Sequence, residues 1–394
     1  MNTESRTFVL HKGATMDTLT SAVSNFSIDL YKILNQRNST GNIFFSPVSL
    51  ASAIAMVYLG SKGKTADQES KVMHFDCVKD IHVNFQALNA QINKKASPSY
   101  TLNLANRLFG ERTFNFSNDF LSSLQSLYQA KVGTVDFMTA HEAARKEINA
   151  WVSEQTHEKI PEVLAEGSVD ATTKLVLVNA LYFKGDWAEK FDAGQTTDAP
   201  FSLSKNQKKT VKMMYQKKKF PFNYVPEMSC RILELPYNGN ELSMFIILPD
   251  SIEDDTTGLQ KLEKGLTVEK LKEWTSPENM EPIDVHVHLP KFKLEETYKM
   301  KSAFSALGMV DVFDAGAADL SGMSGSKNLY LSEMIHKTFV EVNEEGTEAA
   351  AATAGIAMMC MLREEQFTAN HPFIFFIRHN STHNILFVGR YSSP

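Results

Sequence analysis

Four sulfur-containing side chains stand together near the C-terminal end of the sequence, in the run Met358-Met359-Cys360-Met361. A thiol among thioethers is readily oxidised, and a cysteine can also serve as a catalytic nucleophile when a histidine activates it. No histidine stands close to Cys360 along the chain. We therefore interpret the run as an exposed, oxidisable cluster rather than as the nucleophile of an enzyme.

Signatures of the common hydrolase, metal and nucleotide sites are missing from the sequence. Residues 322–325 (GMSG) lack the spacing of a G-x-S-x-G nucleophile turn, and neither an HExxH zinc motif nor a phosphate-binding loop is found. His286 and His288 could share one face of a strand, but no third ligand is evident. The three cysteines form no CxxC pair. The sequence thus predicts no enzyme, no metal site and no cofactor.

The overall composition narrows the class of protein further. The formal net charge of -6 over 394 residues argues against a general nucleic-acid binder. Among the first fifteen residues, only Phe8-Val9-Leu10 is contiguously apolar, which is too short for the core of a signal peptide. No apolar stretch is long enough to span a membrane. We therefore expect a cytoplasmic monomer without membrane contact, with non-classical release to the extracellular space as an alternative location.

One segment is strongly basic against this acidic background. Seven lysines fall between residues 205 and 219, namely Lys205, Lys208, Lys209, Lys212, Lys217, Lys218 and Lys219. Lysine commonly protects a strand edge from pairing with other chains, so a solvated strand edge is the favoured interpretation. Weak binding of a polyanion, such as a glycosaminoglycan or DNA, is the alternative.

Hydrophobic spacing predicts helices early in the chain and strands throughout its second half. Apolar residues recur at helical spacing between residues 19 and 34, and Ser46-Pro47 predicts the start of a further helix. Residues 175–183 form a near-continuous apolar run, typical of a central strand covered on both faces. Asn238-Gly239 predicts a hairpin turn. Helices and strands without a regular alternation, and without a linker between them, predict an α+β fold in one large domain.

Residues 344–361 fit neither kind of element. The stretch lacks bulky apolar anchors, and Gly346, Thr353 and Gly355 would interrupt a long helix. If it became a strand, Glu348 should face solvent, because burying an unpaired carboxylate is costly. The opposite face then carries only small side chains, those of Thr347, Ala349, Ala351, Thr353, Gly355 and Ala357. Insertion between two existing strands would require such residues, whereas a surface loop with one state is the alternative.

Several long motifs occur in an order that resembles the serpin family. They are Asn42–Ser49, Lys174–Asp192 (containing LVLVNALYFKGDW), Leu320–Met323, His336–Glu348 and Phe367–Phe373 (FTANHPF). The resemblance covers residues 16–394, and within the family the sequence looks like the intracellular, ovalbumin-like clade. It implies a single serpin domain of about nine helices and three β-sheets, with an exposed reactive-centre loop at about residues 344–367. Residues 1–15 are an N-terminal extension without an assigned role.

The resemblance also implies a function, the inhibition of serine proteases by a suicide-substrate mechanism. A protease cleaves the loop, which then inserts into a sheet and traps the acyl-enzyme. The family's spacing places the cleaved bond at Cys360-Met361, with Met359-Cys360 as the alternative. The expected partners are neutrophil elastase-like, proteinase 3-like and chymotrypsin- or cathepsin G-like proteases. A non-inhibitory serpin with a chaperone, storage or scaffolding role is the alternative function.

Further site residues follow from the resemblance alone. The hinge of the loop comprises Glu344, Gly346, Thr347, Glu348, Ala349, Ala350, Ala351 and Ala352. The polar cluster beneath the point where the sheet opens, called the shutter, comprises Ser46, Ser49, Asn179 and His336. The top of that opening, called the breach, has Trp187 and Lys291, and Lys291 is expected to pair with Glu344.

Overall fold

A computed structural model describes residues 3–93, 99–326, 328–346 and 363–394, with side chains from residue 17 onward. Ten α helices lie in the described part of the chain: α1 (Thr3–Arg37), α2 (Pro47–Gly60), α3 (Gly63–Val72), α4 (Ile81–Ile92), α5 (Asn118–Tyr128), α6 (Phe137–Gln155), α7 (Gln260–Gly265), α8 (Val268–Trp274), α9 (Lys301–Leu307) and α10 (Ser321–Ser324). Four short 3-10 helices span Phe75–Cys77, Ala193–Gln195, Pro226–Met228 and Asp311–Phe313. None of the described helices is both long and apolar enough to cross a membrane.

Fourteen strands complete the described structure. They are β1 (Ile43–Phe45), β2 (Tyr100–Glu111), β3 (Val132–Val135), β4 (Leu175–Gly185), β5 (Thr197–Ser202), β6 (Lys208–Val225), β7 (Cys230–Pro236), β8 (Leu242–Pro249), β9 (Glu281–Pro290), β10 (Phe292–Lys299), β11 (Leu331–Val342), β12 (Glu364–Thr368), β13 (Phe373–His379) and β14 (Asn384–Tyr391). The predicted α+β class is confirmed.

The predicted helices at residues 19–34 and after Ser46 are present. Helix α1 buries Phe26, Leu30 and Leu34 but extends from Thr3 to Arg37, so the backbone of the N-terminal extension continues the helix from residue 3. At α2, the Ser46 hydroxyl accepts the Ser49 N–H at 3.4 Å, and a proline occupies the first turn. This cap satisfies a backbone donor that the helix itself leaves unpaired.

One sheet has nine strands in the order β1-β14-β13-β8-β7-β6-β9-β12, with β5 also paired to β6. Strand β6 is 18 residues long and continues from one half of this sheet into the other. Its residues Met213–Phe222 pair with β9, and its last residues, Phe222–Val225, pair with β7. The three expected sheets are therefore two hydrogen-bonded sheets here, because β6 joins two of them.

The other sheet has five strands in the order β10-β11-β4-β2-β3. Its central strand is β4, which is buried on both faces as the apolar run predicted. One face packs on the main core, while the other holds Val176, Val178 and Ile335 against Ile148 and Val152 of α6. Strands β4 and β11 are parallel neighbours, whereas β10 and β2, which flank this pair, are antiparallel to them.

Candidate functional site

The site begins where β11 ends, at the top of the five-stranded sheet. Beyond Val342 the chain leaves β4 and pairs instead with the segment that follows β4. The backbone N–H of Trp187 donates to the carbonyl of Glu345 at 3.1 Å, and the N–H of Phe191 donates to the carbonyl of Glu344 at 3.1 Å. The Trp187 indole Nε1–H also donates to the carbonyl of Asn343, at 2.8 Å. These three bonds fix the path of residues 343–345.

Gly346 continues this path through a parallel bridge to Trp187. A Cβ added to Gly346 would lie 2.6 Å from the carbonyl oxygen of Trp187 and 2.8 Å from the Cβ of Lys190. No side chain fits at such a close backbone approach, which explains the glycine here. The predicted hinge residues Thr347, Glu348, Ala349, Ala350, Ala351 and Ala352, and the predicted bonds at Met359, Cys360 and Met361, lie outside the described residues.

An ion pair holds the base of this segment. The Lys291 ammonium lies 2.8 Å from Glu344 Oε1, and the Thr196 hydroxyl donates to Glu344 Oε2 at 3.1 Å. Partial burial by itself would raise the pKa of the Glu344 carboxyl, but the hydrogen bonds from Lys291 and Thr196 outweigh it and hold that pKa below its usual value. Lys184 pairs in the same way with Glu345. The structure therefore places Lys291 and Glu344 together, as expected, and adds Thr196 and Lys184.

Trp187 is nearly fully buried beneath this segment. Its ring stacks on Tyr237 at 4.5 Å between centroids, with 8° between the ring planes. The Phe191 ring meets it edge-on at 6.3 Å. Because the indole packs on aromatic rings and also bonds to the chain beyond β11, it couples the end of β11 to the hydrophobic core.

The four predicted shutter residues form one hydrogen-bonded chain lower in the sheet. The Ser46 backbone N–H donates to His336 Nε2 at 3.0 Å, and His336 Nδ1 lies 2.7 Å from Asn179 Oδ1. Asn179 Nδ2 in turn donates to the Ser49 hydroxyl at 2.7 Å. Asn179 and His336 are directly opposed residues of β4 and β11, and both are completely buried.

These hydrogen bonds fix the protonation of the buried His336. Because Nε2 accepts a hydrogen bond, the proton of the neutral ring is on Nδ1 and is donated to Asn179. Burial lowers the pKa of His336 from 6.5 to about 3, so the ring is neutral at physiological pH. Thr338, two residues further along β11, donates its hydroxyl to the carbonyl of Phe44 at 2.8 Å. The sequence analysis did not include Thr338 among the site residues, although its position on the same strand face as His336 could have indicated it.

A second polar cluster anchors β12, which begins one residue after the undescribed segment 347–362. Glu364 accepts from Lys217 and lies 3.0 Å, through Oε2, from His286 Nε2. The other ring nitrogen of His286 lies 2.8 Å from the Tyr215 hydroxyl. Two hydrogen bonds lower the pKa of Glu364, and the one from Lys217 has a larger effect than the one from His286. The sequence indicated His286 only as a candidate metal ligand, whereas in the structure it has a carboxylate partner on another strand.

The lysine-rich segment lies along and just before β6. Four of its seven lysines pair with carboxylates: Lys205 with Asp255, Lys212 with Asp198, Lys217 with Glu364 and Lys218 with Glu189. These pairs neutralise more than half of the positive charge of the segment. The predicted strand edge is not observed, because β6 lies inside the nine-stranded sheet and pairs with β5, β7 and β9.

Comparison with protein families gives one match over nearly the whole chain. Residues 21–394 match the family model described as "Serpin (serine protease inhibitor)". Among curated proteins, the leukocyte elastase inhibitor of Xenopus laevis is 69% identical over 379 residues, covering 96% of this chain and 100% of that protein. The human leukocyte elastase inhibitor is 59% identical over 380 residues, with the same coverage.

Solved structures show the same architecture. The crystal structure of maspin superimposes with a TM-score of 0.92 at 38% identity, over 97% of this chain and 100% of that one. The structure of uncleaved ovalbumin gives a TM-score of 0.90 at 37% identity, over 96% of this chain and 100% of that one.

Proposed function

This chain belongs to the serpin family, and from that premise we propose that it inhibits elastase-type serine proteases as a suicide substrate. The protease attacks a bond in the segment 347–362, and the cut segment enters the five-stranded sheet before the acyl-enzyme is hydrolysed. Insertion drags the attached protease away from its attack position and distorts its active site. The inhibitor is consumed, and it supplies no nucleophile of its own.

The observation that carries this proposal is the parallel pairing of β4 with β11. A segment that reverses direction beyond Gly346 and enters between these strands would run antiparallel to both. One parallel pairing would thereby be exchanged for two antiparallel ones, which are slightly more stable per residue. The inserted strand also gains main-chain hydrogen bonds on both edges, so the exchange supplies a driving force for insertion.

The sequence of the segment supports insertion. The face that carries Thr347, Ala349 and Ala351 has only small side chains, so it can enter beneath α6 without overpacking the core. The breach residues Trp187 and Lys291, together with the hinge residue Glu344, would hold the starting point of insertion. The shutter residues Ser46, Ser49, Asn179 and His336 would be the contacts that separate as β4 and β11 move apart.

We propose Cys360-Met361 as the cleaved bond, with Met359-Cys360 as a second register. The small side chain of Cys360 suits the primary pocket of an elastase-like protease, whereas methionine suits a roomier chymotrypsin-like pocket. Relatives named leukocyte elastase inhibitor support the first class. We accordingly propose neutrophil elastase-like and proteinase 3-like enzymes as targets of the first register, and cathepsin G-like enzymes as targets of the second.

A panel of purified serine proteases tests the mechanism and the bond together. We expect a covalent complex that survives denaturing electrophoresis, and a C-terminal peptide, separated by the denaturant, whose mass corresponds to residues 361–394. A peptide of residues 360–394 would instead establish the second register. Complete cleavage without any complex, by every protease of the panel, would contradict inhibition and favour a non-inhibitory serpin with a chaperone, storage or scaffolding role.

Location and surface binding are finer parts of the proposal. We place the inhibitor in the cytoplasm as a monomer, its inhibitory domain comprising residues 16–394, with non-classical release as the route by which it would meet extracellular proteases. Lys208 and Lys219 have no carboxylate partner among the described residues, and we propose weak polyanion binding at this part of the lysine-rich segment. Chromatography on immobilised heparin tests this binding. We expect elution below about 0.15 M salt, because salt at that concentration screens the attraction between exposed charges.

A further inference from the structure

The turn that the sequence predicts at Asn238-Gly239 is present, and it joins β7 to β8. The Asn240 N–H closes the turn by donating to the carbonyl of Tyr237 at 3.0 Å, and Gly239 has a φ of 81°. This left-handed backbone conformation favours glycine at the third position of a turn. The turn lies at the surface, where Gly239 is exposed and Asn238 is partly exposed.

Asn238-Gly239 is also the only asparagine–glycine pair in the sequence. The backbone nitrogen of a residue can attack the side-chain amide carbon, Cγ, of an asparagine that precedes it. The attack forms a five-membered succinimide ring and releases ammonia. Glycine hinders this approach least, because it has no side chain. The pair therefore has the residue types that this reaction needs.

The two reacting groups are free of competing hydrogen bonds. Within the described part of the chain, neither the Asn238 carboxamide nor the Gly239 N–H has a hydrogen-bond partner. The backbone N–H of Asn238, by contrast, donates to the carbonyl of Asp186 at 2.7 Å. The main chain before the pair is thus held, while the carboxamide can rotate toward the Gly239 nitrogen.

Two other asparagines, Asn38 and Asn380, precede serine, which is also small. The side-chain oxygen of Asn38 accepts the Gly41 N–H at 2.9 Å. The carboxamide of Asn380 forms three hydrogen bonds, two as a donor and one as an acceptor. These carboxamides would lose their bonds on turning toward the next backbone nitrogen, and each lost bond has a cost. The fold therefore protects both of them and leaves Asn238 unprotected.

We propose that Asn238 is a site of spontaneous covalent modification, at which solvent water converts the asparagine to aspartate and isoaspartate. The Gly239 nitrogen loses its proton and bonds to Cγ of Asn238, while the carboxamide C–N bond breaks and ammonia leaves. Water then opens the ring. Attack at Cγ gives aspartate, whereas attack at the original main-chain carbonyl gives isoaspartate. One water is consumed and one ammonia is released, without any oxidation or reduction.

The isoaspartate product would act on the breach through Tyr237. It adds one carbon atom to the main chain of the turn, which disturbs the bond from the Asn240 N–H to the Tyr237 carbonyl. Tyr237 is bridged to Trp187, and its ring stacks on the indole at 4.5 Å. We therefore expect the modification to loosen this stack, which couples the end of β11 to the core. The reaction depends on the chemistry of the turn and not on whether the protein inhibits proteases.

Incubation of the full chain at neutral and at mildly alkaline pH, followed by peptide mass mapping, tests the site. The peptide that contains Asn238 should gain about 1 Da, faster at the higher pH, because the attacking nitrogen must lose a proton. An isoaspartate methyltransferase should label the same peptide. The peptides of Asn38 and Asn380 should react only in guanidinium. Modification of Asn238 only in guanidinium, or equally fast modification of all three in the folded protein, would overturn the assignment.

A variant and its matched control test the site and its effect on the breach. Asn238→Gln should abolish the mass gain, because attack would then have to form a six-membered ring. Asn115→Gln, at an exposed asparagine that precedes phenylalanine, should leave the mass gain at Asn238 unchanged. The chain has three tryptophans, and the indole N–H signal of Trp187 in an NMR spectrum should shift as the wild type ages but not in Asn238→Gln.

Two results would contradict the proposal. A mass gain of the same peptide that persists in Asn238→Gln would overturn the site. A Trp187 signal that stays in place while the peptide becomes fully modified would overturn the coupling between the turn and the breach.

Discussion

The two sheets of this protein are held together by different chemistry at their interiors. In the five-stranded sheet, the neighbours β4 and β11 oppose Asn179 and His336, which are completely buried and joined by a 2.7 Å hydrogen bond. In the nine-stranded sheet, the neighbours β8 and β13 oppose Phe245 and Phe376, whose rings stack at 4.9 Å. At these two strand pairs, one sheet has a polar hydrogen-bonded contact and the other has a stack of aromatic rings.

The difference indicates which sheet can exchange its pairing. Stacked aromatic rings lose dispersion and hydrophobic contact as soon as their strands separate, and nothing on an incoming strand would replace them at the same place. A hydrogen-bonded network can pass its donors and acceptors to a new neighbour, because its net contribution per bond is small as long as no group is left unpaired. We therefore propose that the five-stranded sheet is the one that opens and that the nine-stranded sheet stays closed.

The C-terminal strand reinforces the closed sheet. Arg390 of β14 is completely buried and lies 2.8 Å from Glu263, whose Oε2 also accepts from the Tyr31 hydroxyl at 2.6 Å. The same guanidinium donates to the carbonyl of Gly41. A buried charge that is paired and fully hydrogen-bonded is costly to break from one side.

The largest effect should come from blocking the sheet that opens. We expect Ala349→Arg to abolish covalent trapping of elastase and turn the inhibitor into a substrate, because strand parity places this residue on the face that enters the sheet. Ala350→Arg, on the opposite face, is the matched control and should keep most of the trapping. Stoichiometry of inhibition and denaturing electrophoresis measure both, and full complex formation by Ala349→Arg would show that the segment does not insert with this parity.

The next largest effect should come from the sheet that stays closed. Arg390→Met removes the cation from a buried pair and should lower the free energy of unfolding by roughly 3–5 kcal/mol. The second variant, Arg390→Met with Glu263→Met, should recover part of this loss because no buried carboxylate is left unpaired. Urea unfolding followed by circular dichroism measures both. An unchanged urea midpoint in the single variant would contradict an anchoring role for Arg390.

The buried histidine gives an intermediate, pH-dependent effect at the interior of the opening sheet. Its pKa is about 3 in the folded protein and 6.5 as a free side chain, so the unfolded chain binds the extra proton first as pH falls. Stability from this group is complete above about pH 6.5 and is lost between pH 6.5 and 3, by at most about 1.4 kcal/mol per pH unit. His336→Gln should therefore flatten the stability profile over that window relative to the wild type. Parallel profiles would mean that His336 does not sense pH.

The smallest effect should come from the ion pair at the base of the hinge. Lys291 is about half exposed, so Lys291→Gln should cost only roughly 0.2–1 kcal/mol of stability, less at high salt. Lys291→Gln removes the ion pair at the start of the five-stranded sheet. We therefore expect this variant to self-associate on mild heating more than Lys212→Gln does, as measured by native electrophoresis. Lys212 is the control, since it also forms an exposed ion pair but on β6. Equal self-association of the two variants would remove any special role for the Lys291 pair.

Local signals in the sequence predicted much of this molecule. The Ser46 cap, the central strand at residues 175–183 and the α+β class all follow from short-range patterns. The shutter and breach residues came from the resemblance, because Asn179 and His336 are 157 positions apart and no local rule brings them together. The same reason hid the pair of Arg390 with Glu263 and the partner of His286, since each depends on strand pairing between distant segments.

The chain enters the segment 347–362 from the five-stranded sheet and leaves it through β12 into the nine-stranded sheet. There β13 lies between β8 and β14, and β14 lies between β13 and β1. The strands of residues 363–394 are therefore paired within the nine-stranded sheet. A single cut in the segment therefore creates a two-chain protein whose shorter chain is retained as a subunit would be. Labels placed on the two fragments should elute together in gel filtration and separate only in denaturant.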